Sequence, residues 1–294
     1  MNTPVLLVSG VTRRRRGAAA AVADASVELA AGEVVALVGP PGSGKTTLLE
    51  VAAARLAPDA GAVTVAGVAA GTRAARVLLG YAPASPVFPP ALNVREVLAY
   101  LARFHAVGVA RRGLVAAALE RGGLEGAAER RAAGLALPLA RRLALAQAVL
   151  GHRRVLLLDE TLSGVDAGGR RAMCERVREL AASGVAVLLA SSDLAAVERI
   201  AARVLVMRDG RLVREVPTAA LLRERVLEIL LDAPPAAPPG FRLTSYGLQT
   251  DLGPRSAEAA LALCREHRLA VRASRVRLRT LEDAVLDAPG DGAR

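Results

Sequence analysis

GPPGSGKTTLLE, residues 39–50, holds the single lysine of a 294-residue chain whose Lys+Arg total is 39, the rest being arginine. The stretch follows a short apolar run, EVVALVG (33–39), and opens TTLLEVAAARL (46–56), whose apolar residues fall at helical spacing. From Gly39 it satisfies G-x-x-x-x-G-K-[ST], in the strand–turn–helix setting that this phosphate-binding loop requires. Gly42 and Gly44 let the backbone curl so that successive amides face a phosphate, and the dipole of the following helix start favours the negative charge. An ammonium is a compact point charge on a flexible stem, whereas a guanidinium is a wide planar fork. The one lysine therefore falls where a compact charge is needed. The predicted nucleotide-binding set is Gly39, Gly42, Ser43, Gly44, Lys45, Thr46 and Thr47, with Lys45 on the β and γ phosphates and the Thr46 hydroxyl on Mg²⁺.

VLLLDE (155–160) supplies the second half of such a site. A buried strand there presents Asp159 beside the loop to hold the metal through water. Glu160, one residue on, is placed to polarise an attacking water as general base. VAVLLASS (185–192) and RVLVM (203–207) are further apolar runs of the parallel-strand kind. Residues 94 to about 134 read as helical and alanine-rich, and VLVMRDGRLVREV reads as a hairpin with Asp209-Gly210 at its tip. APPAAPP (233–239) reads as a stiff linker, followed by a small α+β tail.

Composition narrows the class. Hydrophobic residues make up 53% of the chain, enough for a sizeable core, but much of this is alanine. Every apolar stretch is broken well before the roughly 18 residues of a spanning helix, so the chain is expected to be soluble by itself. MNTPVLLVSG has no basic start and only a short apolar run, so no signal peptide is read there. Cys174 and Cys264 stand far apart without a CxxC, which suggests neither a disulfide framework nor a zinc site and fits a cytoplasmic setting. The formal charge of +11 asks for an acidic partner. Aromatics at 2% leave few platforms for stacking bases, so a solvated or membrane-facing surface is favoured over nucleic acid.

These residues together resemble the ATP-binding subunits of ABC transporters. The phosphate loop is followed by YAPASPVFPPALNVREVL where that family places its glutamine loop and helical subdomain, then by a signature helix, LLLDETLSGVD and a switch segment. SGVD (163–166) resembles the family's D-loop, and RTLEDAVL (279–286) resembles the ending of drug and antibiotic exporter subunits. Thr280 there also reads as a helix cap, with Asp283 as its capping-box partner. The resemblance implies an α/β fold: a P-loop NTPase core of ABC type over 1–217, with a helical subdomain at about 85–150. A helix and Pro-rich linker over 218–240 and a small α+β module over 241–294 would follow. It implies ATP and Mg²⁺ as cofactors, separate membrane permease subunits, and a second ATP-binding subunit as homodimer or heterodimer partner. The location implied is cytoplasmic, peripheral on the inner face of the cell membrane, with no nucleic acid expected.

Departures from the family pattern carry as much information as the matches. Each ATP in that family lies between the phosphate loop of one subunit and an LSGGQ signature of the other. Aligning residues 135–150 on the signature helix puts Ala136, Leu137 and Pro138 at the Ser-Gly-Gly positions. Alanine has no hydroxyl to donate, leucine adds bulk, and proline has no amide hydrogen. Ala84 stands at the glutamine position, Ser192 at the switch histidine, and Thr161-Leu162 after the glutamate. Ser192 is retained as a catalytic candidate beside Glu160, as a donor toward the γ-phosphate. Arg16 stands where an aromatic residue would stack on adenine, and its guanidinium is a candidate replacement. Losing one preorganised transition-state donor commonly costs about 10²- to 10³-fold in rate, so slow or partner-dependent hydrolysis is expected while binding is kept. The alternatives are a regulatory pseudo-ATPase module that binds without turnover, and a nucleic-acid-associated ABC ATPase.

Overall fold

The computed structural model describes residues 3–14, 20–105, 108–221, 224–231, 237, 240–244, 247–252, 256–267 and 269–286. Its contacts divide the chain into two compact units, one running through Glu215 and the other starting at Val216.

In the first unit, β1 (Leu6–Arg14) and β2 (Ala20–Leu29) pair antiparallel, Leu6 opposite Leu29 and Val8 opposite Val27. β3 (Val34–Val38) is buried at all five positions and runs into the glycine-rich turn, from which α1 (Lys45–Ala52) rises. β4 (Ala60–Val65) lies along the free side of β1, and β5 (Val68–Ala69) completes a four-stranded antiparallel sheet in the order β2-β1-β4-β5. α2 (Arg73–Leu78), capped by the Thr72 hydroxyl, leads into β6 (Leu79–Ala82).

The helical region follows: α3 (Val94–Ala102), α4 (Gly108–Gly122) and α5 (Leu137–Ala148), with two single 3₁₀ turns between the last two. α3 starts in a full capping box, Asn93 accepting from the Glu96 amide while Glu96 accepts from the Asn93 amide. Gly80 lets the end of α5 lie against β6, since a Cβ there would sit 2.1 Å from the Ala148 carbonyl. The core closes with β7 (Val155–Asp159), α6 (Ala167–Ala182), β8 (Ala186–Ala190), α7 (Leu194–Ile200), β9 (Arg203–Arg208) and β10 (Arg211–Pro217).

The six-stranded sheet has the order β10-β9-β3-β8-β7-β6, and every pairing from β9 to β6 is parallel. β3, β7 and β8 are buried along their whole length, which is why they read as unbroken apolar runs. Their carboxyl ends line up at one edge, where open α/β sheets bind ligands. The β9–β10 turn has Asp209 at φ 48° and Gly210 at φ 80°, both left-handed, as a tight two-residue hairpin demands.

The second unit carries α8 (Thr218–Leu221), β11 (Arg225–Leu231), β12 (Arg242–Thr244), β13 (Gly247–Asp251), α9 (Ala257–Glu266), β14 (Val271–Leu278) and α10 (Leu281–Leu286). Its antiparallel sheet has the order β12-β13-β11-β14, and α9 packs Ala260 and Cys264 against Leu227, Ile229, Leu231 and Leu248. Where sequence reading expects a helix running into a linker over 218–240, the helix is four residues long and Arg225–Leu231 is a central strand. β11 alternates buried and exposed residues toward its end, and pairing on both sides outweighs its leucine-rich, helix-compatible composition. Residues 233–236, 238 and 239 of the Pro-rich stretch lie outside the described residues.

Candidate functional site

The glycine-rich turn is shaped by its neighbours as much as by its own residues. Gly39 sits at φ 150° with the Met207 carbonyl where a Cβ would be, 2.0 Å away, and Gly44 at φ 103° with the Ala21 carbonyl 2.1 Å away in the same sense. Side chains at these two positions would collide with backbone. The hairpin tip stitches the turn in place: the Gly210 amide donates to the Ser43 carbonyl at 3.0 Å, and the Gly210 carbonyl accepts from Ala23 at 2.8 Å. The first amides of α1, on Lys45, Thr46 and Thr47, have no carbonyl one turn earlier within the helix and so stand ready for an anion.

Lys45 is only 9% exposed, and its ammonium fills the curl of the turn. It donates to the carbonyls of Gly39 at 2.8 Å and Pro40 at 2.9 Å, and to the Ser43 hydroxyl at 3.2 Å. Burial lowers its pKa, while the charges of Glu160 and Asp159 act in the opposite direction. All three ammonium hydrogens are thus taken by loop oxygens.

Asp159 ends β7 at 1% exposure, and neither carboxylate oxygen has a hydrogen-bond partner. Burial pushes its carboxyl up to about 6; the Glu160 and Glu50 charges add to this, and the Thr46 hydroxyl and Lys45 oppose it. A buried carboxylate without a partner is costly unless something else completes it. A divalent cation held through water beside Thr46 would do so, and the oxygen donors present suit Mg²⁺.

Glu160 follows in a left-handed conformation, φ 46°, which is strained for a residue with a side chain. That kink turns its carboxylate away from the strand and toward the segment after β8. There Oε2 accepts from the Ser192 amide at 3.0 Å, from the Ser192 hydroxyl at 2.9 Å and from the Ser163 hydroxyl. The two serine hydroxyls lie 3.2 Å apart. Ser192, expected as a donor toward the γ-phosphate, donates to Glu160 instead. Asp193 caps α7 by accepting from Ala196 and pairs with Arg170 at 3.0 Å.

The candidate residues Gly39, Gly42, Ser43, Gly44, Lys45, Thr46, Thr47, Asp159, Glu160 and Ser192 are thus carried by the turn and helix after β3 and by the ends of β7 and β8. Arg16 lies outside the described residues. Ala84 follows β6 by two residues and offers only a methyl group. One participant is not singled out by the sequence reading: Ser163 reads there only as part of the D-loop, although its position three residues after Glu160 in a turn is the available signal.

At the signature position, α5 begins at Leu137 with Ala136 as its N-cap, and no side chain accepts a cap hydrogen bond. Pro138 sits in the first turn, where its missing amide hydrogen is tolerated, so the helix forms as expected. Leu137 is 46% exposed on that helix start.

Comparison with known proteins points the same way. A family profile described as ABC transporter matches residues 22–163. The Nod factor export ATP-binding protein I of Burkholderia orbicola (strain AU 1054) is 34% identical over 216 residues, spanning 72% of this chain and 71% of that protein. Its namesake from Paraburkholderia xenovorans (strain LB400) is 34% identical over 204 residues, spanning 68% and 67%. Among solved structures, an ATP-binding subunit of an ABC transporter matches at TM-score 0.67 and 25% identity, covering 74% of this chain and 92% of that one. A bacterial ABC transporter cassette solved as a dimer shares the fold at TM-score 0.67 and 21% identity, covering 72% and 98%.

Proposed function

The chain belongs to the family of ABC transporter ATP-binding proteins, and from that membership we propose that it is the ATP-binding subunit of an exporter. It would couple Mg²⁺-dependent ATP binding, and slow or partner-dependent hydrolysis, to transport through separate membrane subunits at the inner face of the membrane. The observation that carries the Mg²⁺–ATP reading is the buried, unpartnered Asp159 carboxylate facing Thr46 across a phosphate loop whose lysine is in place. The export direction rests on the relatives, which are named for Nod factor export.

Within that reading the amides of α1 and the Lys45 ammonium take the phosphates, exchanging loop carbonyls for phosphate oxygens. Thr46 and Asp159 would hold the metal, which would supply neutralisation of the phosphate charge. Glu160 orients the attacking water as general base. The start of α5 offers no such chemistry to a second nucleotide: Ala136 lacks a hydroxyl, Leu137 adds bulk and Pro138 lacks an amide hydrogen. The partner is therefore a different ATP-binding subunit whose own signature completes the site built on Lys45 and Glu160.

Equilibrium binding of a fluorescent ATP analogue, with and without Mg²⁺, tests this directly. The unaltered chain should bind, and Lys45→Ala should weaken binding by at least about tenfold through loss of a charge-assisted contact. Asp159→Asn should keep binding but lose its Mg²⁺ dependence. Failure of the unaltered chain to bind nucleotide would refute the proposal. Turnover no greater than that of Glu160→Gln, with binding intact, would locate the chain as the subunit that needs a partner's signature.

A further inference from the structure

We infer that Arg141, on α5, is a further positioning residue of this site: it seats on Gly164 in the turn after β7 and supplies the fixed positive charge that keeps the Glu160 carboxylate on Ser163 and Ser192. The inference rests on the assignment of Glu160 above, but its observations are independent of nucleotide.

Arg141 is 8% exposed, and its Nε has no hydrogen-bond partner. Arginines on a helix surface ordinarily send the charged head to water. This one turns inward, and the carboxylates that act on its charge are those of Glu160 and Asp159. Burial lowers its pKa, and those two carboxylates counter that effect. A buried guanidinium is costly unless an opposite charge compensates it, and the opposite charges acting on this one are those of the acidic pair ending β7.

Packing fixes the same relationship. Gly164 lies at φ 66°, and an added Cβ there would fall 2.9 Å from Arg141 Nη1, so the guanidinium occupies the space that a side chain would need. Arg142, the next residue, does likewise at Gly169 on α6, with Nη2 2.6 Å from the position of a Cβ. Two successive arginines of α5 therefore rest on two glycines that flank Asp166, the residue capping α6. Ser163, adjacent to Gly164, donates its hydroxyl to Glu160. The path runs from α5 through Arg141 to the Ser163–Gly164 turn, and from there to the carboxylate.

The charge count gives Arg141 a distinct part. Lys45 is another buried cation acting on the acidic pair, and its three hydrogens are committed to loop oxygens. When phosphate takes Lys45, Arg141 remains to balance Glu160. It acts by charge, since no hydrogen bond from it is made among the described residues, so a lysine should serve in its place.

Hydrogen–deuterium exchange on the ligand-free chain tests this without requiring nucleotide binding or turnover. The variants are Arg141→Gln, which keeps polarity and loses charge, and Arg141→Lys, which keeps charge. Arg141→Gln should speed exchange by about tenfold or more in residues 160–166 and 190–193, where the Ser192 amide is held by Glu160. The phosphate loop and the second unit should exchange as before, and Arg141→Lys should stay within about threefold of the unaltered chain. If the glutamine variant does not fold, Gly164→Ala displaces the guanidinium from the other side and should reproduce the pattern. Unchanged exchange at 190–193 would overturn the inference. So would acceleration spread evenly over the first unit, or a lysine variant as fast as the glutamine one. Loss of nucleotide binding by the unaltered chain would strike the functional proposal instead and leave these outcomes intact.

Discussion

Ser192 gives both its backbone amide and its hydroxyl to one oxygen of Glu160, at 3.0 and 2.9 Å, with Ser163 completing the set on the same oxygen. The residue standing where the family resemblance places a histidine thus holds Glu160, the general base proposed above. Ser192→Ala removes the hydroxyl and keeps the amide. We expect it to lower the maximal turnover rate by about 10-fold or more with little change in the ATP concentration for half-saturation, because the lost contact orients the base and does not grip nucleotide. Steady-state rates over a range of ATP concentrations, measured in the assembled pair with the partner ATP-binding subunit, check this, and a change confined to the half-saturation concentration would contradict it.

Gly44 and Gly42 both have left-handed φ, 103° and 80°, yet their surroundings differ. A Cβ on Gly44 meets the Ala21 carbonyl at 2.1 Å and Met207 Cε at 2.8 Å, whereas one on Gly42 meets nothing within 4 Å. Gly42→Ala should therefore cost about 1–2 kcal/mol of stability from backbone strain alone. Gly44→Ala should cost clearly more and displace the loop. Chemical denaturation of the two variants side by side checks the order, and equal losses would contradict it.

How far sequence carries the reading follows from where the information is local. β3, β7 and β8 were legible because parallel strands buried on both faces must be continuously apolar, and the phosphate loop because its glycines and lysine answer to backbone geometry within eight residues. β1 and β2 were not singled out. Their alternation is interrupted by register shifts near Gly10, and runs of alanine and arginine carry no clear period. β11 was missed because leucine-rich residues serve helix or strand, and only the pairing with β13 and β14 decides. The hold of Ser192 on Glu160 and the inward turn of Arg141 depend on contacts between segments distant in sequence. No spacing rule announces them.

Asp159 carries its own pH signature. Its folded carboxyl lies near 6 against an ordinary value of 3.8. Between those values the folded chain keeps a proton that the unfolded chain releases, so this group lowers stability as pH rises through that window and the deficit persists above it. Asparagine cannot ionise and removes the deficit. Without ligand, Asp159→Asn should raise the unfolding free energy near pH 8 by an amount on the order of 2 kcal/mol, with the gain vanishing near pH 4. Denaturant titrations at the two pH values check the pattern; a gain that persists at low pH would contradict it.

Asp283 in the second unit behaves oppositely. Burial pushes its carboxyl up, but hydrogen bonds from Arg277 (2.6 and 2.8 Å), Gln249 (2.8 Å) and Thr280 (2.8 and 3.0 Å) outweigh this and hold it well below the usual carboxylate range. Its contribution is fully present above the unfolded value near 4 and is lost as pH falls toward the folded value. The TLED stretch thus locks α10 to β14 and β13. Asp283→Asn should destabilise this unit at neutral pH by about 2 kcal/mol, with the difference from the unaltered chain shrinking below about pH 4. Exchange rates of β13 and β14 amides across pH read this out, and a pH-independent difference would contradict it.

The start of α5 allows the sharpest test of the partner assignment. Ala136, Leu137 and Pro138 leave it without a cap hydroxyl, with an exposed leucine and without one amide hydrogen. The chain carrying Glu160→Gln, which would hold ATP without consuming it, should therefore remain monomeric with Mg²⁺ and ATP in analytical ultracentrifugation. Adding Ala136→Ser, Leu137→Gly and Pro138→Gly restores a hydroxyl, removes the bulk and returns the amide hydrogen. The two glycines cost helix stability, about 1 kcal/mol each, but they sit in the first turn of α5, where the cost is least. The restored chain should form a dimer that requires ATP and dissociates on its removal, since the site built on Lys45 is unchanged. An ATP-dependent dimer of the chain with its natural signature would mean that Leu137 and Pro138 can face a phosphate after all. The assignment of a different partner subunit would then fall.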